Sequence, residues 1–421
     1  MHLDVRFHLS RMPLFERLEP APLGQKVTSL DACVYFYRTA FVMGWLPPKN
    51  PAWQRWIYSL WTGTTMLLGL IYLPLGLTLT YVVHFDKFMP NEFLTSLQVD
   101  FNCIGNVIKA TMTFSQMWRM QKMNELMAPL DERCVTPSQR QLLHDMVAWV
   151  NRMMVFFLAM YLGFSTLNLF TSVFAGKAPW QLYNPLIDWR QGVWQLWVAS
   201  IMEYFVVCIG VMQELLSDTY AIVFISLFRG HLAILRDRIK NLRMDPELSE
   251  EENYKQLVAC IQDHRTIVQC TEVIRPLLST TIFAQFMLVG IVLGLAAFNI
   301  LFFPNTFWMI LANVSFILAI CTETFPCCML CEYIIEDCSN LTYALFHSNW
   351  STANRRYKSA LIYFLHRVQQ PIEFKAGAIF PISVQSNITV AKFAFSIITV
   401  VKQMNLGEKF LNHKVSGEQE L

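Results

Sequence analysis

Six polar side chains recur at helical spacing along an otherwise apolar stretch near the C-terminus, residues 375–404. Intervals of four, three, four, three and four residues place them in one stripe of an α-helix. In lipid such a stripe must be covered by protein or by water. Its amide, hydroxyl and ammonium groups can line a path for ions, or they can hydrogen-bond to neighbouring helices. Both interpretations stay open for the six residues, which are Gln385, Thr389, Lys392, Ser396, Thr399 and Gln403.

The sequence shows no arrangement of residues that is typical of an enzyme, and its nine histidines are scattered. Cys327, Cys328 and Cys331 resemble part of a zinc site, but they lack a second ligand pair at zinc-finger spacing. The eleven cysteines indicate free thiols in helices and on the reducing side of a membrane. We therefore expect no catalytic residues, no metal site and no cofactor.

The composition indicates a protein that crosses a membrane several times. Of the 421 residues, 54% are hydrophobic and 15% are charged, whereas about 25% are charged in a typical soluble domain. The net charge of +2 gives no indication of nucleic acid as a partner. The predicted fold is an all-α membrane protein with seven transmembrane helices, at residues 57–83, 92–118, 153–175, 193–216, 277–303, 306–331 and 375–404.

Several segments beside these spans also have a predicted structure. Apolar stripes at helical spacing continue among charged residues at 229–243, 252–276, 332–346 and 351–370, and such stripes need partners to cover them. The apolar stretch at 30–43 is too short to span, so we interpret it as a re-entrant or interfacial helix. Residues 119–146 are charged and contain Thr136-Pro137, and we predict a loop there.

The distribution of lysine and arginine predicts the orientation in the membrane. The stretches 1–56, 119–146, 229–275 and 333–376 hold 24 of the 33 basic residues, whereas the opposite loops and the tail hold six. By the positive-inside rule, the N-terminus lies in the cytoplasm and the C-terminus lies outside. Glycosylation sequons at Asn340 and Asn349 fall in a segment that this topology places inside. A glycan on Asn349 in cells would overturn the topology.

Two common classes of helical membrane protein fit the sequence poorly. A G-protein-coupled receptor needs its N-terminus outside, and it usually has an outer disulfide and motifs after the third span and in the seventh. The charge distribution, the missing outer cysteines and the missing motifs oppose that class. A secondary transporter should contain two similar halves with interrupted helices, and the sequence shows no internal repeat.

The C-terminal third resembles the insect odorant receptor family over roughly residues 343–404. The order and spacing of RVQQP at 367–371, FPIS at 380–383 and KFAFS at 392–396 match the family pattern, and GWLPP at 44–48 agrees with it. The related gustatory receptors carry Thr-Tyr and Gln-Phe in the last helix, where this chain has Phe395-Ser396 and Gln403-Met404. The loop after the fourth span is short, which resembles a ligand-tuning subunit rather than the shared co-receptor.

The resemblance implies an odorant-gated, non-selective cation channel, assembled as a heterotetramer with the co-receptor in the plasma membrane of olfactory neuron dendrites. Its partners would be a small volatile odorant, the co-receptor subunit, the lipid bilayer and cations. A seven-helix chemoreceptor that signals through G proteins and a gustatory-type receptor channel are the alternatives. The resemblance implies five divisions of the chain. Residues 1–56 are a cytoplasmic segment, and residues 57–331 are a six-helix bundle that holds the ligand pocket and includes anchor helices at 229–276. Further anchor helices at 332–374, a pore-lining helix at 375–404 and an extracellular tail at 405–421 follow.

The resemblance also implies two sites. The outer part of the seventh helix would form the narrow section of the pore, at Val400, Gln403 and Met404, unless these residues face a neighbouring helix. Odorants would bind in an enclosed apolar pocket in the outer half of the bundle. The candidates for this pocket are placed by depth alone, and ordinary packing is the commoner role of such residues in a bundle. They are Phe101, Ile104, Phe164, Asn168, Trp197, Tyr204, Leu311 and Val314.

Ionisable residues inside spans are functional candidates by default, because a charge in the membrane is costly. Asp100 in the second span and Glu203 in the fourth are two such residues. Either carboxylate could instead have a structural role, paired with Lys109 or with backbone.

Overall fold

The computed structural model of the chain describes residues 17–48, 52–84, 90–185, 187–302 and 307–403, and most of these are helical. The helices in chain order are α1 Ser29–Ala32, α2 Val34–Val42, α3 Ala52–Met66, α4 Leu73–His84, α5 Pro90–Ser115, α6 Met117–Glu132, α7 Pro137–Phe174, α8 Val193–Lys240, α9 Glu250–Phe302, α10 Phe307–Phe346, α11 Arg355–Val368 and α12 Val384–Gln403. A π-helical segment, Leu67–Tyr72, joins α3 to α4, and the two-residue strands β1 Lys375–Ala376 and β2 Phe380–Pro381 pair antiparallel before α12. The predicted all-α fold is confirmed.

Five helical segments within the described residues are long and apolar enough to cross a membrane, and they correspond to five of the seven predicted spans. They are Trp53–Val83, Pro137–Phe174, Val193–Lys240, Glu250–Leu301 and Ile317–Phe346. The other two predicted spans form α5 and α12, which carry charged residues such as Asp100 and Lys392 along their length.

The first span changes its winding just before Pro74, where the π-helical segment lies. Proline cannot donate to the carbonyl four residues earlier, and prolines and π-bulges are the usual causes of helix kinks. Within this segment Gly69 approaches α8 so closely that a Cβ would collide with the Gln213 side chain. Gln213 Nε2 donates to the Thr65 carbonyl at 3.1 Å, so the first span is joined directly to α8.

The prediction of a loop at 119–146 is wrong. Residues Met117–Glu132 form α6, and α7 begins at Pro137 after Thr136 caps it. Met120, Met123 and Met127 recur at helical spacing and are buried, whereas charged residues such as Lys122 are exposed. The segment is therefore an amphipathic helix. Its high charge content led to the loop prediction, although the methionines recur at helical spacing.

The stretch at 30–43 forms two short helices, α1 and α2, that pack against α7 and α8. Thr28 and Asp31 form a capping box at the start of α1. Ser29 donates to Asp131 of α6 through its Oγ at 2.6 Å and its N–H at 2.8 Å. The same Oγ lies 2.7 Å from His231 Nε2 of α8. These contacts tie the N-terminal segment to two longer helices.

The predicted helical extensions are confirmed as continuous helices. α8, α9 and α10 run well past the predicted ends of their spans, and α11 packs beside α9 and α10. Their apolar stripes form one buried core that includes Leu235, Leu257 and Phe364. Arg238 of α8 pairs with the buried carboxylate of Asp263 of α9. The extensions cover each other's apolar faces within one subunit.

The last helix begins later than predicted, because residues 375–383 form the β1–β2 hairpin and the turn after it. Gly377 has a φ of 58°, and a Cβ on it would lie 2.7 Å from the Phe283 ring. Only glycine fits such a conformation at so close a contact. Ser383 then caps α12 by accepting a hydrogen bond from the Ser386 N–H at 3.1 Å.

Candidate ligand pocket and ion path

A buried carboxylate fixes the loop between α7 and α8, which the sequence predicts to lie outside. Glu203 is 5% exposed and accepts hydrogen bonds from the backbone N–H groups of Trp180 and Leu182, both at 3.0 Å. The Gln181 carbonyl between them accepts from Thr80 Oγ1 at 2.7 Å. The loop is therefore held to α4 and α8 at the end of the bundle where the resemblance implies the ligand pocket. Glu203 has the structural role that its sequence position left open.

Two of the predicted pocket residues lie together beside this loop, and a third contacts the loop. Trp197 and Tyr204 pack around a buried cluster of Leu169, Val173, Ala178 and Leu196. Tyr204 Oη lies 2.8 Å from Thr166 Oγ1, and Asn168 Nδ2 donates to the Pro179 carbonyl at 3.4 Å. This group combines apolar surface with a few fixed polar atoms, which is the usual composition of a small-molecule site.

Phe101 packs in a separate cluster, against residues of α9, α10 and α12 that include Leu288, Ile320 and Ala394. Ile104, Phe164 and Val314 are exposed at the surface of the single chain, and the side chain of Leu311 is outside the described part of the structure. The structure thus brings Trp197 and Tyr204 together, places Asn168 against Pro179 of the loop, and places Phe101 elsewhere. The assignment of all eight residues to one pocket stays a prediction.

Neither Asp100 nor Glu203 pairs with Lys109. Asp100 is 5% exposed and accepts a hydrogen bond from Thr78 Oγ1 at 3.2 Å. Lys109 forms an ion pair with Asp218 of α8, with 2.7 Å between Nζ and Oδ1. Sequence reasoning missed Asp218, because it lies two residues beyond the predicted end of the fourth span. The signal that could have found it is the continuation of the same helix to Lys240.

The polar stripe of α12 is uncovered in the single chain. Gln385, Thr389, Lys392 and Ser396 are all exposed. On the opposite face Asn387 Nδ2 donates to Thr324 Oγ1 of α10 at 3.0 Å. Ala394 is buried in the cluster shared with α9 and α10, seven residues further along that face. The stripe therefore does not join α12 to the helices of its own subunit over these residues.

The predicted pore residues lie at the outer end of the same helix. Val400 and Gln403 are in α12, but the description of side chains ends at Ser396, and Met404 lies outside the described residues. Gln403 continues the stripe, seven residues after Ser396, by helical periodicity. Their role as the narrow section of a pore stays a prediction.

These features define a multi-pass helical membrane protein whose last helix packs at the side of the bundle with one polar face uncovered. A sequence model of the family described as 7tm odorant receptor matches residues 89–395. The chain is 72% identical to odorant receptor 59c of Drosophila melanogaster over 404 residues, which cover 96% of this chain and 98% of that protein. It is 46% identical to odorant receptor 59b of the same species over 399 residues, with 95% and 100% covered.

The fold is similar to that of a solved relative. The structure of the olfactory receptor OR5 from the insect Machilis hrabei matches with a TM-score of 0.69 and 14% sequence identity, covering 90% of this chain and 100% of that chain. The same receptor has been solved in complex with eugenol. The chain belongs to the insect odorant receptor family, which is a family of membrane receptors rather than enzymes.

Proposed function

We propose that the chain is the odorant-binding tuning subunit of a ligand-gated, non-selective cation channel that it forms with a co-receptor subunit. The observation that carries this proposal is the uncovered polar stripe of α12, formed by Gln385, Thr389, Lys392 and Ser396. Lipid is a poor environment for such a stripe. Further subunits arranged around a water-filled path would cover it, and they would make α12 the wall of that path.

In this proposal the outer end of α12 provides the gate. Val400 and Met404 add an apolar constriction that closes the pore by dewetting, and Gln403 adds an amide that helps to replace the hydration of a cation. The heterotetramer lies in the plasma membrane of the sensory dendrite. The extensions of α8, α9 and α10 beyond their spans lie in the cytoplasm with α11, and this region is where subunits join.

The odorant binds in the outer half of the bundle, and the cluster that includes Trp197 and Tyr204 supports this position. The solved complex of the Machilis receptor with eugenol supports a small organic ligand of this kind. Odorant binding opens the channel only to the extent that the open state binds the odorant more tightly than the closed state.

Recording from cells that express the chain with and without a co-receptor tests the proposal. We expect rapid, odorant-evoked, non-selective cation currents when both subunits are present, found by screening an odorant panel. Responses that develop slowly without the co-receptor and stop when G proteins are blocked would favour signalling through G proteins instead.

A further inference from the structure

Three carboxylates from two helices meet inside the bundle, away from the candidate odorant pocket. Glu214 and Asp218 lie on α8 and Glu323 lies on α10. One oxygen from each carboxylate falls within 4.8 Å of the others. The Glu214 residue is 8% exposed and the Asp218 side chain is 5% exposed, whereas Glu323 is half-buried. Carboxylates are rarely brought so close together in a buried position unless something compensates their charge.

Neighbouring helices supply polar partners to each carboxylate. Asp218 is held by Lys109 of α5 at 2.7 Å and by the hydroxyl of Tyr161 of α7 at 2.8 Å. The other two carboxylates each accept a side-chain amide: Asn102 Nδ2 of α5 donates to Glu214 Oε1 at 3.0 Å, and Gln285 Nε2 of α9 donates to Glu323 Oε2 at 2.9 Å. The cluster thus joins α5, α7, α8, α9 and α10.

The charges of this cluster do not balance. Among the described hydrogen bonds and ion pairs of the three carboxylates, Lys109 is the one cationic partner. Three carboxylates and one ammonium leave two negative charges in a region of low dielectric, where an uncompensated charge is strongly unfavourable. The cluster therefore needs either two protons or an additional cation.

An oxygen of Gln285 that has no partner in the described part of the chain favours the additional cation. Its side chain reaches into the cluster, is 3% exposed, and uses its amide nitrogen to hold Glu323. Its carbonyl oxygen, Oε1, has no hydrogen-bond partner among the described residues. A buried amide oxygen without a donor is unfavourable. A cation bound beside Glu323 would give this oxygen a partner, which two added protons on the carboxylates would not.

We propose that Glu214, Asp218, Glu323 and the Gln285 carbonyl oxygen bind one divalent cation of the calcium class. All four donors are hard oxygen ligands, which suit Ca²⁺ and Mg²⁺ better than the zinc class of metals. The two uncompensated charges match a divalent ion. Ca²⁺ accepts irregular oxygen geometry, whereas Mg²⁺ loses its water reluctantly, so a buried set of side chains favours Ca²⁺. Lys109 stays on Asp218 as a fixed counter-charge.

The proposed ion would link α8, α9 and α10 at one point, and it would therefore stabilise the folded receptor. Thermal unfolding of the purified full-length chain, first treated with a chelator, tests this directly. We expect Ca²⁺ to raise the midpoint temperature of unfolding by several degrees and the effect to saturate with Ca²⁺ concentration. Mg²⁺ should act more weakly, and Na⁺ at equal ionic strength should have no effect. Tb³⁺ luminescence, with Tb³⁺ standing in for Ca²⁺, should saturate and be displaced by Ca²⁺.

Matched variants locate the effect. Glu323→Gln and Asp218→Asn should weaken the response to Ca²⁺ about tenfold or more. Glu203→Gln, which changes another buried carboxylate of α8, should leave the response to Ca²⁺ unchanged. A wild-type midpoint unaffected by divalent ions, with Glu323→Gln at least as stable as wild type, would show that the cluster holds protons instead. A Ca²⁺ response that survives both cluster variants would also overturn the proposal. None of these measurements depends on channel activity.

Discussion

The ionisable residues inside the spans show how single side chains are used in this receptor. The sequence identifies Asp100, Lys109 and Glu203 as buried charges that need partners. It does not identify those partners, because the partners lie on other helices or are backbone groups. Glu203 bonds to N–H groups of the preceding outer loop, and Lys109 bonds to Asp218 of α8. Pairing of this kind depends on how the helices pack, which residue spacing alone does not determine.

Removing the Glu203 carboxylate should loosen the outer loop. Glu203→Ala leaves the buried N–H groups of Trp180 and Leu182 without an acceptor, which should cost about 2 kcal/mol or more of stability. Hydrogen exchange should rise across residues 176–185. Unchanged exchange there would contradict the role given to Glu203, and Glu203→Gln, which keeps one acceptor, should give an intermediate result.

Asp131 should make the stability of the packing between α1, α6 and α8 dependent on pH. Burial raises the pKa of Asp131 to about 7, although hydrogen bonds from Ser29 oppose the shift. The folded protein then holds this proton more tightly than the unfolded chain. The stability that it contributes is therefore complete below about pH 4 and is lost as pH rises towards 7.

The variant Asp131→Asn keeps a neutral acceptor for Ser29 and should remove this loss. Unfolding midpoints of wild type and variant, measured from about pH 5 to 8, should diverge as pH rises, with the variant more stable at the upper end. His231→Gln is measured in the same way, because His231 Nε2 lies 3.7 Å from Asp131 Oδ1 and the two residues must be distinguished. If the unfolding midpoints of wild type and Asp131→Asn change with pH in parallel, Asp131 is not the source of the pH dependence.

At the scale of the helices, periodicity predicts well wherever polar and apolar faces alternate cleanly. The extensions of α8 to α11 are predicted correctly for this reason. α6 was missed because its buried face is made of methionines set among charges. The start of α12 was misplaced because the β1–β2 hairpin is apolar enough to be counted with the span, although Gly377 and Pro381 interrupt the helix.

The two faces of α12 should respond differently to substitution. Ala394 is buried against α9 and α10, so Ala394→Gln should destabilise the fold by about 1–3 kcal/mol and reduce surface expression. Lys392 is exposed on the polar stripe, so Lys392→Gln should leave expression unchanged and increase cation conductance by removing a positive charge from the path. Single-channel recording with a surface-expression assay distinguishes the two effects.

If Lys392→Gln leaves conductance unchanged while Ala394→Gln behaves as expected, the stripe is covered by protein instead of water. That result would favour helix packing between subunits as the function of this stripe.

At the scale of the whole molecule, the charge distribution predicts that the N-terminus is inside and the C-terminus outside. An epitope at the C-terminus should be labelled on intact cells, and one at the N-terminus only after permeabilisation. Asn349 Nδ2 donates to the Arg243 carbonyl at 3.3 Å within the predicted cytoplasmic region. Asn349→Gln should therefore leave electrophoretic mobility unchanged. If Asn349→Gln increases the mobility, and glycosidase treatment of the wild-type protein gives the same increase, Asn349 carries a glycan and the topology is reversed.

The identity of the family could be recognised from the sequence, because its C-terminal motifs lie in one continuous stretch. The pocket could be placed only by depth, and the structure separates Phe101 from the group of Trp197 and Tyr204. The cluster of Glu214, Asp218 and Glu323 could not be predicted, since Glu323 is far in the chain from the other two and meets them only when α10 packs against α8.

The central claim is that the outer end of α12 lines the cation pore, and substitutions of opposite charge at Val400 test it most directly. Each variant is expressed with the co-receptor, and odorant-evoked current, reversal potential and surface expression are measured. We predict that Val400→Lys strongly reduces the cation current, and that Val400→Glu preserves current but shifts the reversal potential towards greater selectivity for cations, at equal surface expression. Wild-type current and reversal potential in both variants would contradict the claim.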